Sequence, residues 1–273
     1  QAEPLTLPLI GALKPWQQTF VYVGAPGILL AGLFLFIREP VRRVSNEPEI
    51  ARTGTAQLIQ FYRANASTLL WHHLGFVSLI LTGYAFVFWS VTFFVRIHGV
   101  PAADASQIFG WIFVVFGPMG PLIVAYIAAE LKRRGRHDAN ITAGMIGGIA
   151  TIPCVLLIQI APSATWAYIL YAPALLAVNS PFGIAAGALP VITPPHLRAR
   201  VAAVYMFAGA VGMMFGPPLA GAFNEYLFPG AEGVRYSMII MTCCFGFLGV
   251  LFLWFARKPY AASMQSADAW SED

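Results

Sequence analysis

Residues 130–138 read "ELKRRGRHD", and this stretch decides how its surroundings are read. The chain has 273 residues, of which 28 are charged (16 Lys or Arg, 12 Asp or Glu). Six of those 28, with His137, fall in these nine positions. On either side charge vanishes: 106–129 and 140–161 hold no Asp, Glu, Lys or Arg. A bilayer core of about 30 Å needs about 20 apolar residues in a helix. Both flanks meet that length, so the stretch reads as the charged turn between two membrane-crossing helices.

Further out the pattern repeats. Hydrophobic residues make up 58% of the chain and charged residues 10%, against about 45–50% and about 25% in soluble domains. Five more stretches reach spanning length, at 19–37, 69–95, 165–192, 200–224 and 236–256. "GILLAGLFLFI" (27–37) and "MIIMTCCFGFLGVLFLWF" (238–255) are apolar on every face, whereas a water-facing helix keeps a polar back. The expected fold is all-α and integral to a bilayer, with seven transmembrane helices. Cys154, Cys243 and Cys244 lie in apolar runs with neither disulfide nor metal-ligand spacing, and read as small buried hydrophobes.

The gaps set the orientation. Arg38, Arg42, Arg43, Arg52, Arg63, Lys132, Arg133, Arg134, Arg136, Arg198, Arg200, Arg257 and Lys258, thirteen of the sixteen basic residues, lie in alternate gaps and the tail, while Lys14, Arg96 and Arg235 lie opposite. The positive-inside rule makes the richer side cytoplasmic. The chain then divides into a periplasmic lead-in and first helix (1–37), a cytoplasmic loop (38–68), six helices (69–256) and a cytoplasmic tail (257–273), in a plasma (inner) membrane. Topology accounts for the basic residues, so the partner is the lipid bilayer and no nucleic acid is expected. Within the loop, "TAQLIQFYRAN" (55–65) can place Leu58, Phe61 and Tyr62 on one helical face; a helix lying on the membrane surface and a solvated linker both fit. "SMQSADAWSED" (263–273) has the composition of a disordered end. The beginning lacks the basic and apolar regions of a signal peptide, and it starts at Gln1 rather than Met, so further residues are expected upstream.

Catalytic patterns are missing. There is no HExxH, GxSxG, phosphate loop or dinucleotide fingerprint, and no catalytic residue, metal or cofactor is expected. A retinal protein needs a lysine within a span for its Schiff base, and no span has one. His72 and His73 are adjacent, so their side chains diverge on a helix instead of forming the pincer of an i, i+4 pair. At a span end beside Trp71 they are expected to reach the headgroups, with a proton relay as the alternative.

Glycine and proline are placed more suggestively. The third span carries "FGPMGP" (116–121), with Gly117, Pro118, Gly120 and Pro121; the sixth carries "FGPPLAG" (215–221), with Gly216, Pro217 and Pro218; the fifth carries "NSPFG" (179–183). Glycine admits close helix approach and proline frees a carbonyl and bends the rod. With the first span set aside, six remain as two triplets, and the third and sixth are the middle helices of those triplets. Such matched interruptions mark inverted-repeat transporters.

With these features the chain resembles the carboxy-terminal part of a major facilitator superfamily transporter. "FGPMGPLIVAYIAAELKRRGRHDA" (116–139) resembles the family's loop motif, a Gly-rich helix end followed by an acid and basic residues. "IREPVRR" (37–43) resembles the exit from its sixth helix, and "TPPHLRARVAAVYMFAGAVGMMFGPPLAG" (193–221) its passage from tenth to eleventh. Within the superfamily the chain is most similar to the spinster-like group. The resemblance covers about residues 8–260 and implies family helices six to twelve, six of them forming one 3+3 inverted-repeat half; helices one to five, the missing amino-terminal half, are the implied partner. The family's Asp falls at Ala129, next to Glu130. By resemblance Glu130, Lys132, Arg133, Arg134 and Arg136 form the loop motif; either Glu130 substitutes for the acid or the latch is weaker. The run also reads as a plain topology determinant.

The resemblance implies a secondary active transporter of a small organic or amphipathic solute, working by alternating access. Thr82 and Tyr84 in the second span and Asn179 and Ser180 in the fifth are candidates to line its cavity; a helix-to-helix hydrogen bond is the alternative for each. Since no span contains a carboxylate, any proton-coupling acid is expected in the upstream helices. The competing class is an integral-membrane lipid-modifying enzyme, which needs converging His, Asp or Glu groups; only the histidine pair is available.

Overall fold

The computed structural model describes residues 6–7, 11–34, 36 and 55–268; "IREPVRR", the other basic residues of 38–54 and the last five positions lie outside them. The chain forms two units, 1–48 and 49–273. In the first, β1 (Thr6–Leu7) pairs antiparallel with β2 (Gly11–Ala12), and helix α1 (Pro15–Phe34) follows. Proline opens α1 where its missing N–H is no loss, and Gln17 Oε1 accepts the Lys14 backbone N–H at 2.8 Å, half of a capping box.

The second unit comprises α2 (Thr55–Ala64), α3 (Ala66–His98), α4 (Ala102–Phe116), α5 (Met119–Arg133), α6 (Ala139–Gln159), α7 (Ala164–Ile192), α8 (Arg198–Ala222), α9 (Gly233–Met241) and α10 (Phe247–Asp268). Among the described residues six helical segments are long and apolar enough to cross a membrane: Ala66–His98, Ala102–Arg133, Ala139–Gln159, Ala164–Ile192, Pro195–Leu227 and Gly233–Ala267. They match six of the expected spans, and the protein is a multi-pass membrane protein. The seventh, at 19–37, is not among them. Gln17, Gln18 and five Gly or Pro residues dilute α1, and residues 35 and 37 are outside the described set.

The helices pair in a crossed pattern. α6 packs most extensively on α7 and α10 on α3, while α5 lies along α7 and α8 along α3. Glycine makes the last two contacts possible. A β-carbon on Gly120 would collide with the Leu176 carbonyl oxygen and press on the Ser180 nitrogen. One on Gly216 would collide with the Leu81 carbonyl oxygen and press on the Ala85 nitrogen. In both places the glycine precedes a proline and meets the backbone of residues four apart. The bends differ. α4 ends and α5 begins around Gly117–Pro118, whereas α8 runs unbroken through Pro217 and Pro218 and widens into a π-turn at Phe223–Leu227.

Two expectations about the ends change. The "TAQLIQFYRAN" segment is helical as α2, but its apolar face is spent on protein: Phe61 is buried in the bundle core, with Leu58 and Tyr62 packed against it. The tail is ordered as far as Asp268. Tyr260 and Met264 are buried, and Ser263 Oγ donates to Asn65 Oδ1 at 2.9 Å, so this segment has a face to bury despite its polar composition.

Candidate functional site

Gly83 brings α3 against α7, where a β-carbon would lie 3.0 Å from Val178 Cγ1. Tyr84 and Asn179, the next residues on each helix, flank this crossing. Both are half-buried, and the Tyr84 ring packs on Phe182 at 5.8 Å. Asn179 Nδ2 donates to the Leu175 carbonyl at 2.9 Å. The other two cavity candidates are closed inside the bundle. Thr82 is 1% exposed and donates to the Ser78 carbonyl at 3.0 Å. Ser180 is 5% exposed and its Oγ donates at 2.7 Å to the Ala177 carbonyl, which Pro181 leaves without its helical N–H. Ser180 thus repairs the proline break.

At the basic turn Glu130 pairs with Arg133 and, at 2.8 Å, with Arg134, three and four residues along its own helix. Both arginines are about 70% exposed, so these bonds contribute little. Asp138 does more. It accepts from Arg136 Nε (2.9 Å) and Nη2 (2.8 Å), from Thr142 Oγ1 (2.9 Å) and from Arg257 Nε (2.7 Å) at the start of the last helix's extension. Burial opposes ionisation of Asp138, but the bonds from Arg136, Arg257 and Thr142 outweigh it and lower its pKa to about 2. Gly135, with φ 78°, supplies the left-handed residue that turns the chain back from α5 to α6.

The histidines do not reach out to headgroups. His72 is fully buried between α3, α7 and α8: its Nε2 lies 3.0 Å from the Ala185 carbonyl oxygen and its ring meets Phe76 and Tyr205. His73 is half-buried, with its Nδ1 3.4 Å from His72 Nδ1 and its Nε2 3.4 Å from the Tyr62 hydroxyl. α3 begins before the apolar window and carries both rings into the bundle.

No family model matches the chain. A curated relative, an MFS-type efflux pump of Mycolicibacterium smegmatis, is 22% identical over 256 residues, covering 90% of this chain and 57% of the relative. Two structures of a bacterial homologue of the human lysosomal transporter Spinster, both inward-facing, one occupied and one unoccupied, superpose with a TM-score of 0.63. They share 21% and 22% identity and cover 91% and 92% of this chain but 59% of theirs. The chain has the major facilitator fold. It spans rather more than half the length of the relatives it matches, consistent with a carboxy-terminal half.

The basic turn divides its work between two carboxylates. Glu130, where the family's acid was sought, ties only its own turn, and Asp138 links the turn to α10. Asp138 closes the stretch "ELKRRGRHD" and its position before a helix was visible, but its partner Arg257 stands 119 positions away with no local signal. A second feature had no sequence signal: an open recess of about 590 Å³ at the other end, lined by Trp89, Arg96, Asn224, Glu225 and Tyr226. Among the described residues no three His, Cys, Asp or Glu side chains converge as metal ligands.

Proposed function

We propose that this chain is the carboxy-terminal part of a secondary active transporter that moves a small organic or amphipathic solute by alternating access. The observation that carries the reading is the crossed closure of the two triplets. Gly120–Pro121 on α5 meets α7 as Gly216–Pro217 on α8 meets α3, which is the relation expected of a 3+3 inverted repeat. The relatives' names support transport: one is an efflux pump and the other a homologue of a lysosomal transporter. In this reading α1 is the seventh crossing, the basic turns face the cytoplasm of a plasma membrane, and any coupling acid belongs to the upstream helices. The α4–α5 and α8 segments bury the smallest share of their length; the amino-terminal half supplies the missing wall. Tyr84 and Asn179, beside the α3–α7 crossing, are the solute-facing candidates.

The test is flux into proteoliposomes containing the full-length protein, read with a panel of labelled amphipathic solutes. Tyr84→Ala and Asn179→Ala are expected to cut flux roughly tenfold without loss of folded protein, and residues 1–273 alone are expected to carry none. Flux by the 273-residue chain, or full flux in both variants, overturns the reading. Cysteines at positions 135 and 102 check the topology: only the latter is expected to react from outside.

A further inference from the structure

Three hydrogen bonds at the basic end join α2, α3 and α7 in a line: Tyr62 hydroxyl to His73 Nε2 (3.4 Å), His73 Nδ1 to His72 Nδ1 (3.4 Å), and His72 Nε2 to the Ala185 carbonyl (3.0 Å). The last bond fixes the others. A carbonyl only accepts, so His72 Nε2 carries a hydrogen, and in the neutral ring Nδ1 is bare. His73 Nδ1 must then donate, which leaves His73 Nε2 bare to accept from Tyr62. Burial pushes the Tyr62 phenol up to about 12, so it keeps its proton for this purpose. The donors and acceptors of the neutral line all run in the same direction, with the Leu69 carbonyl a second acceptor for the His73 N–H.

An added proton has one place to go without breaking the line. On His72 Nδ1 it would set two N–H groups facing each other. On His73 Nε2 it leaves both inner bonds intact and reverses only the outer one, since Tyr62 must now accept. A second proton is opposed by the first, because the two ring centroids are 5.3 Å apart. Among the described residues the walls give the charge no counter-ion. α8 contributes the Tyr205 ring, 5.3 and 5.5 Å from the two imidazoles; α7 contributes the Ala185 carbonyl; α3 contributes Phe76 and the Leu69 carbonyl; α2 contributes Tyr62. Among the described residues no carboxylate, Lys or Arg acts on either ring. An uncompensated buried charge is costly and gains by reaching water, and α2 covers His73. α2 is held only along the stripe of Leu58, Phe61 and Tyr62, its other residues being exposed.

We propose that His72 and His73 form a single proton-binding site, entered at His73 Nε2, whose occupation releases α2 from the basic end of the bundle. The inference stands on this geometry and not on the transport reading, and its test involves no flux.

The experiment is hydrogen–deuterium exchange of the full 273-residue chain in lipid nanodiscs at pH 8 and pH 5, with times scaled for the intrinsic pH dependence of exchange. Peptides covering 55–64 are expected to exchange faster at pH 5 by roughly fivefold or more, the low end of typical couplings between sites, while those covering 139–159 stay unchanged. His73→Gln is expected to remove the difference, and Tyr62→Phe, which leaves His73 free to take the proton, to keep it. An equal difference in His73→Gln, or none in the wild-type chain, overturns the proposal. Should a variant fail to fold, nitrogen-15 spectra of histidine-labelled wild-type chain decide. One proton gained by the pair, carried on His73, down to pH 5 supports the site, and two fully charged rings, or none, refute it.

Discussion

The two ends of the bundle use their polar atoms differently. At the basic end several bonds join two helices: Asp138 holds Arg257, Tyr260 donates to the Ala188 carbonyl at 2.9 Å while accepting from Asn140, and Ser263 reaches Asn65. At the opposite end His98 Nε2, Gln159 Oε1, Tyr168 OH, Asn224 Oδ1, Arg235 Nε and Ser237 Oγ are buried without a hydrogen-bond partner among the described residues. Apolar packing around Phe86, Phe93, Phe94 and Tyr171 holds that end together. Each unpaired buried group costs about 1–3 kcal/mol, so the opposite end, where Trp89 Nε1 donates to the Pro217 carbonyl and Ser90 pairs with Tyr171, leans more on shape than the basic end does.

Substitutions can break that contrast. The largest effect is expected from Asp138→Ala, which leaves Arg136 and Arg257 without their acceptor. A loss of roughly 2 kcal/mol is anticipated, read as a melting temperature lower by roughly 4–8 °C; a drop below 1 °C erases the distinction. Acid should act through the same carboxylate. Its folded pKa of about 2 lies below the ordinary 3.8, so its contribution is complete above about pH 4 and is lost as pH falls towards 2. Thermal melts from pH 6 to pH 3 should decline in the wild-type chain and stay flatter in Asp138→Ala. Tyr260→Phe removes one hydroxyl shared by two helices and should cost about 1 kcal/mol. At the other end Ser237→Ala removes a buried hydroxyl that has no hydrogen-bond partner among the described residues and should stabilise the chain by about 1 kcal/mol; a loss means that this hydroxyl does bond.

The six crossings were legible because hydropathy measures what lipid demands, and their cores carry no charge to confuse it. The helix ends were not. Segments of 33 to 35 residues extend to about 50 Å at 1.5 Å per residue, well past a bilayer core of about 30 Å. Hydropathy locates the lipid boundary, whereas protein packing continues beyond it. His72 was therefore taken for a headgroup contact and 263–268 for a loose end. The Gly–Pro pairs were recognised from spacing, but which helix each would meet was not, since a glycine advertises room and never its occupant. The cavity candidates divided for a local reason: Ser180 precedes a proline and spends its hydroxyl on the carbonyl beneath.

The crossed closure carries a consequence for biosynthesis. α5 completes itself on α7, and α8 on α3, so the first three crossings leave the ribosome without the surfaces they are shaped to meet. Until α7 and α8 follow, the notch at Gly120 and the Leu81 turn opposite the future Gly216 stand open in the translocon or the surrounding lipid. Insertion of this half is then all-or-nothing, and a stop placed between α6 and α7 should yield a product bound for proteolysis rather than a smaller stable bundle.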